Sequence, residues 1–249
     1  MPNVLLLGGT TEASALADLL DSAGITATLS YAGRTAAPRL QPVPIRIGGF
    51  GGVAGLASYL RAHRVTHLVD ATHPFAAKMS AHAVAAAREV DVPLVALTRK
   101  QWEPVAGDSW SHVASIPDAV AQLAGPPRRV MLALGRMHVE AFAAQPQHHY
   151  LLRFVDAPTE PPALPRHNLV VDRGPFTAEG DVQMMRDHAI DLVVCKNAGG
   201  GGAQAKLIAA RRIGLPVLMI DRPPLPSRQE VHDPRAVLAW LGHDAERGV

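Results

Sequence analysis

The strongest constraint in this sequence is an alternation: short, continuous apolar runs take turns with longer segments of helical periodicity. "NVLLLGG" leads into "TEASALADLLDSAG" and then "ITATLSYAG", and a proline-containing link reaches "VPIRIGGFGG" and the helix-like "VAGLASYLRAHR". "VTHLVDATH", "PFAAKMSAHAVAAAREVD" and "VPLVALTR" follow. Strands that are apolar on both faces must be covered on both faces, which is what a parallel sheet flanked by helices provides. The helical segments carry apolar stripes such as Leu16, Leu19 and Leu20. Pro74 suits a first helical turn, where its missing N–H is no loss.

The rhythm loosens in "RKQWEPVAGDSWS", from Arg99 to Ser111, and then resumes. "HVASI", "RRVMLALG", "HYLLRFV", "LVVDRG", "DLVVCKN" and "PVLMID" read as strands, and "PDAVAQLAG", "MHVEAFAAQ", "AEGDVQMMRDHA" and "GGAQAKLIAARRIG" as helices between them. A proline-rich loop, "DAPTEPPALPRHN", separates two of the strands, and the helical "DPRAVLAWLGH" comes last. The expectation is an α/β chain of two domains, each a parallel β-sheet flanked by helices: residues 1–99, a linker over 100–111, and a second domain over 112–249.

At 249 residues and 48% hydrophobic, the chain can bury a substantial core. Its 24 Lys and Arg against 22 Asp and Glu leave a net charge of +2, which argues against a nucleic-acid partner. No apolar run reaches the roughly 18 residues of a membrane span. Met1-Pro2-Asn3 lacks the basic segment of a secretory signal. Cys195 is the only cysteine and has no internal partner for a disulfide; it reads as a small buried hydrophobe. A soluble, cytoplasmic monomer is the expectation.

Ligands of such sheets sit beyond the carboxyl ends of the strands. Gly8-Gly9-Thr10-Thr11 after the first strand is either a phosphate-binding turn or an ordinary strand-to-helix corner, since "GGTTEA" is not GxGxxG. After the second strand "SYAGRT" has no acid for ribose hydroxyls. Ser30 and Arg34 instead suit a 2′-phosphate, which favours NADP, although Arg34 also reads as a plain surface arginine. "GGFGG", Gly48 to Gly52, places Phe50 to stack on a cofactor ring or to anchor its own loop. In "DATHPFA", Asp70 reads as structural, while Thr72 and His73 lie where a nicotinamide or substrate would pass, with Ser80 a turn later. Farther on, Arg173, then Lys196 and Asn197, then four glycines and Lys206 recur at strand ends, joined by Arg99, Arg136 and Arg153. A cleft between the domains rimmed by such cations would suit a polycarboxylate.

Several chemistries have no support. There is no GxSxG elbow, no GxxxxGK[ST] and no Tyr-x-x-x-Lys. His63 and His67 straddle an expected helix end and strand start with no third ligand, so no metal site is expected.

"LLGGTTEASALADLL" (6–20), "GR" at Gly33, "GGFGGVAGLASYL" (48–60) and "DATHPFAAKMSAHA" (70–83) are joined by "DRGPF" from Asp172, "CKNAGG" from Cys195 and "GLPVLMIDRPP" from Gly214. In that order, over nearly the whole chain, they resemble the precorrin-6A reductases of cobalamin biosynthesis. The combination of "GGFGG" with "DATHPFA" is the specific part. The Ser-Gly usual after the family's lysine reads Asn197-Ala198-Gly199 here.

The resemblance implies two Rossmann-like domains with a ligand cleft between them, and hydride transfer from NADPH to the C18–C19 double bond of the precorrin-6A macrocycle, giving precorrin-6B. It puts Gly9, Thr10 and Thr11 on the diphosphate, Arg34 near the 2′-phosphate, and Gly49, Phe50 and Gly51 along the cofactor, with Gly33 also among the cofactor-binding residues. Thr72 and His73 would lie on the nicotinamide side, with His73 as proton donor or substrate orienter, and Arg173, Lys196 and Lys206 would face the substrate. Three alternatives stay open: a cobalt-precorrin-6A reductase, a non-catalytic NADP-binding sensor module, and a tetrapyrrole methyltransferase using S-adenosylmethionine. The last fits the Arg34 side of the pocket less well.

Overall fold

The computed structural model describes residues 1–32 and 40–247, with side chains described as far as Gly242. The chain divides into two units, Met1–Arg99 with Pro224–Val249, and Lys100–Pro223.

The first unit opens with β1 (Asn3–Leu7), α1 (Thr11–Ser22), β2 (Thr26–Tyr31), β3 (Ile45–Ile47), α2 (Val53–Ala62), β4 (His67–Asp70), α3 (Ala77–Glu89) and β5 (Leu94–Leu97). Its strands pair in parallel in the order β3-β2-β1-β4-β5. The apolar run of β1 feeds two cores, because successive side chains of a strand point to opposite faces. Val4 and Leu6 join Leu16 and Leu20 of α1, while Leu5 and Leu7 join Leu56 and Leu60 of α2. α3 begins later than the sequence suggests: Pro74 is buried in a tight turn closed by Ala76 N–H on the His73 carbonyl at 2.7 Å.

The second unit repeats the plan with β6 (Trp110–Val113), α4 (Ile116–Gln122), β7 (Arg129–Ala133), a 3₁₀ segment (Arg136–Ala144), β8 (His149–Phe154), β9 (His167–Val171), α5 (Ala178–Asp187), β10 (Leu192–Lys196), α6 (Ala205–Arg212) and β11 (Val217–Ile220). The order is β9-β8-β7-β10-β11-β6, again all parallel. The expected α-helix over "MHVEAFAAQ" is the 3₁₀ segment instead. Its buried residues, Val139 and Phe142, are three apart, the spacing that a three-residue turn brings to one side. Trp110 and Ser111, expected in a linker, are part of β6.

The last two elements correct the expected boundary at the C-terminus. β12 (Gln229–Val231) pairs with β5 of the first unit, Gln229 beside Val95 and Val231 beside Leu97. α7 (Pro234–Arg247) puts Val237 and Leu241 into the core that holds Leu16 and Leu20. The second domain therefore does not run to residue 249. Each sheet has its sixth position, next to β5 or β11, filled by the segment that follows the other sheet's fifth strand.

Candidate functional site

Each sheet reverses its direction of winding between two central strands, β1 and β4 in the first and β7 and β10 in the second, and ligands of open α/β sheets bind at such points. In the first unit the loops after β1 and β4 meet there. Gly8 has its place for packing reasons, since a Cβ would lie 2.5 Å from Leu29 Cδ1. Gly9 is different: its φ is +132°, and a Cβ there would meet nothing within 4 Å. That is open space beside the N-terminus of α1, where backbone can approach an anion. Thr10 caps α1, accepting from Ala13 N–H at 3.2 Å, and donates to the Ala71 carbonyl at 2.9 Å, tying the two loops together.

Thr11 is followed by a carboxylate, Glu12, which would oppose an anion. Arg99 neutralises it with a two-pronged contact, Nε to Oε1 at 2.8 Å and Nη2 to Oε2 at 2.7 Å, and Nη2 also reaches Thr11 Oγ1 at 3.1 Å. Burial pushes the Glu12 carboxyl pKa up, but the Arg99 hydrogen bonds and charge outweigh it and hold the pKa below its usual value. Arg99 is thus engaged with this turn.

Ser30, at the end of β2, is 4% exposed and accepts from Arg46. Gly33 and Arg34 lie outside the described residues. In the loop after β3, Gly48, Gly51 and Gly52 have φ of +121°, +80° and +94°, and a Cβ on these or on Gly49 would meet nothing within 4 Å. Gly55 is required by packing, because its Cβ would fall 1.7 Å from the Phe50 carbonyl oxygen. The Phe50 ring anchors the loop, edge-on to Tyr59 at 5.2 Å and under the Arg46 guanidinium at 3.8 Å.

Asp70, 2% exposed, organises the turn after β4. Its Oδ1 accepts from Thr72 N–H at 3.1 Å and Thr72 Oγ1 at 2.7 Å, and its Oδ2 pairs with buried Arg228 from the segment leading into β12. Ser80 Oγ lies 3.4 Å from Thr72 Oγ1. His73 is exposed, and its Nδ1 accepts from Phe75 N–H at 3.2 Å, so the neutral ring carries its proton on Nε2. Arg228 and Arg46 went unnoticed in the sequence: neither stands in a motif, and only folding brings them to these loops.

The second unit uses its strand ends differently. Asn197 is buried and pairs with the backbone of Trp102, accepting from its N–H at 2.8 Å and donating to its carbonyl at 3.0 Å. Trp102 Nε1 donates to Gly200 at 2.9 Å. Lys206 is 4% exposed, which corrects its expected role as a substrate-facing charge. Its ammonium donates to the Ala203 carbonyl and lies 4.7 Å from the Trp102 ring, and burial lowers its pKa. Arg153 likewise turns inward, pairing with buried Asp181 and covering Phe176 at 3.9 Å.

Arg173 is exposed and pairs with exposed Asp156. Lys196, at the end of β10, is partly buried, and burial brings its pKa down to about 8. Arg136, after β7, lines a cavity of 440 Å³ with Met137, Phe154 and the prolines of the long loop. Among the described residues no three His, Cys, Asp or Glu converge as for a metal, and no helix is long and apolar enough to cross a membrane.

The chain is similar along its whole length to known proteins. A precorrin-6A reductase of Rhodobacter capsulatus is 55% identical over 251 residues, covering 100% of both chains. A solved structure described as CobK precorrin-6A reductase superposes with a TM-score of 0.92 at 55% identity, covering 98% of this chain and 97% of that one. A cobalt-precorrin-6A reductase of Priestia megaterium is more distant, 29% identical over 232 residues, covering 88% of this chain and 90% of its own. The family model for precorrin-6x reductase CbiJ/CobK matches residues 3–242, and the chain belongs to that family.

Proposed function

We propose that this chain is the NADPH-dependent reductase of precorrin-6A, acting on the C18–C19 double bond to give precorrin-6B. The observation that carries this reading is the open glycine-lined turn at the β1–β4 switch point, in a chain matched end to end by a precorrin-6A reductase. The residues fit the cofactor: Gly9 and the α1 amides for the diphosphate, Thr10 and Thr11 at its flank, and no carboxylate at the end of β2 to repel a 2′-phosphate. NADPH, when bound, supplies the hydride.

The protein's own part is to orient and to hold charge. Asp70 fixes the Thr72 hydroxyl and the turn that carries His73, whose Nε2–H can orient a substrate carboxylate. In its protonated form the ring can deliver the proton that the carbon next to the reduced one must gain. Arg136, Arg173 and Lys196 serve the carboxylates of the macrocycle. Hydride transfer would need cofactor and macrocycle side by side, and the expected cleft between the domains is part of this proposal. So are a cytoplasmic setting and a monomeric state. The higher identity to a precorrin-6A reductase favours the cobalt-free substrate.

The test begins with fluorescence titration of NADPH and NADH, on the wild type and on Arg34→Ala, followed by turnover of precorrin-6A with and without cobalt. Tight NADPH binding and conversion of the metal-free macrocycle are expected. A protein that binds neither nucleotide would sink the reading, and one that turns over only the cobalt form would reassign the substrate.

A further inference from the structure

Arg46 is the side chain around which the loops assigned to the cofactor are assembled. It sits in β3 between two exposed isoleucines, Ile45 and Ile47, so strand alternation turns it to the opposite face. There its Nη1 donates to Ser30 Oγ at 3.2 Å and to the Gly48 carbonyl at 2.5 Å, and its Nη2 donates to the Gly49 carbonyl at 2.7 Å. The guanidinium also covers the Phe50 ring at 3.8 Å. Ser30, Gly49 and Phe50 were each read as cofactor-binding, and Arg46 holds all of them.

A staple for a glycine loop would need no net charge. Yet Arg46 is half-buried, and no carboxylate among the described residues pairs with it. Among the described residues its charge is met by two carbonyls, a hydroxyl and the rings of Phe50 and Tyr59. The Nε–H and one Nη2–H have no acceptor among the described residues. In sheets of this order the ribose of an adenine dinucleotide lies at the end of β2. An acid there holds the 2′-hydroxyl, and an arginine nearby accommodates a 2′-phosphate. Here β2 ends Leu29-Ser30-Tyr31, with no acid, and β3 brings a fixed guanidinium to Ser30. A planar fork with donors to spare suits phosphate oxygens.

We propose that Arg46 selects NADPH over NADH by presenting its remaining N–H groups to the 2′-phosphate, from a position set by Ser30, Gly48, Gly49 and Phe50. This rests on the reading of the first unit as the NADPH site. It adds to that reading a residue distinct from Arg34, and mutation separates the two.

The experiment is a titration of NADPH and of NADH into the wild type, Arg46→Gln and Arg46→Met, with a thermal melt of each to establish folding. In Arg46→Gln, NADPH affinity should fall about tenfold to a hundredfold while NADH affinity stays within about threefold, so the preference collapses. Arg46→Met keeps apolar contact with Phe50 and reads the same ratio if the glutamine variant does not fold. A residue that only staples the loop would weaken both nucleotides by one factor and leave the ratio unchanged, and that result overturns the proposal. A wild type that binds neither nucleotide would instead remove the reading of the unit on which the proposal rests.

Discussion

The two units share one sheet plan but put their strand ends to different uses. In the first unit Gly9, after β1, and Gly48, Gly49, Gly51 and Gly52, after β3, face open space, and arginines brace the loops from the side, Arg99 against Glu12 and Arg46 against Gly48 and Gly49. In the second unit the corner after β10 grips the chain itself: Asn197 and Gly200 hold Trp102, and Lys206 lies on the indole. A glycine-rich corner after a strand therefore serves two purposes in one molecule: at Gly9 it leaves the backbone bare beside a helix N-terminus, and after β10 it carries the hydrogen bonds that hold Trp102.

The comparison can be broken most forcefully at the buried ion pairs. Asp181→Ala leaves buried Arg153 without its carboxylate and should cost about 3–5 kcal/mol in a urea melt, whereas Asp70→Ala leaves buried Arg228 its contact with Glu230 and should cost about 2–4 kcal/mol. Turnover, corrected for the folded fraction, should fall steeply only in Asp70→Ala, because Asp70 alone also fixes Thr72. Equal turnover losses would mean that the second unit's buried pair serves the reaction as well.

Smaller effects sharpen it at the glycines. Gly9→Ala should cost about 1–2 kcal/mol for its positive φ and weaken NADPH about tenfold. Gly202→Ala, at a position with open space and no positive φ, should stay within about 0.5 kcal/mol and leave NADPH affinity alone. Matching losses of affinity would erase the distinction between the corners.

The gentlest test is pH. With a pKa of about 8, Lys196 loses its charge as pH rises from 7 to 9, so KM for the carboxylate-bearing substrate should rise several-fold across that range with kcat little changed. Lys196→Arg should flatten the profile. The sign for folding is opposite. Between about 8 in the folded state and about 10.4 unfolded, the unfolded chain holds the extra proton, so this group makes stability rise with pH. A KM that ignores pH in the wild type would take Lys196 out of the substrate site.

Much of this was legible in the residues. The continuous apolar runs of β1, β4 and β10 forced a sheet covered on both faces, and Gly9 and the "GGFGG" loop marked strand ends that approach something. Burial was not legible. Arg153 and Lys206 look like surface cations until Asp181 and Trp102 enclose them, because a long charged side chain carries no sign of which way it will turn. Gln229-Glu230-Val231 has neither the length nor the apolar content of a strand. It becomes one only because the edge of β5 is waiting for it. Arg46 hid for a related reason: in "PIRIGG" an arginine between isoleucines reads as the solvent face of a strand, whereas here the isoleucines are the exposed ones.

The exchange of sixth strands also sets an order of events during synthesis. As the chain leaves the ribosome, β1 to β5 appear first, but their sheet lacks an edge and its α1 face lacks a cover until everything through α7 has been made. The second unit, by contrast, is continuous from Lys100 to Pro223 and can close as soon as β11 emerges. The half made first is thus the half finished last. Throughout that interval Asp70 waits without Arg228, so a nascent chain interrupted before Arg228 has the complete glycine turn but not the arginine that steadies the loop beside it.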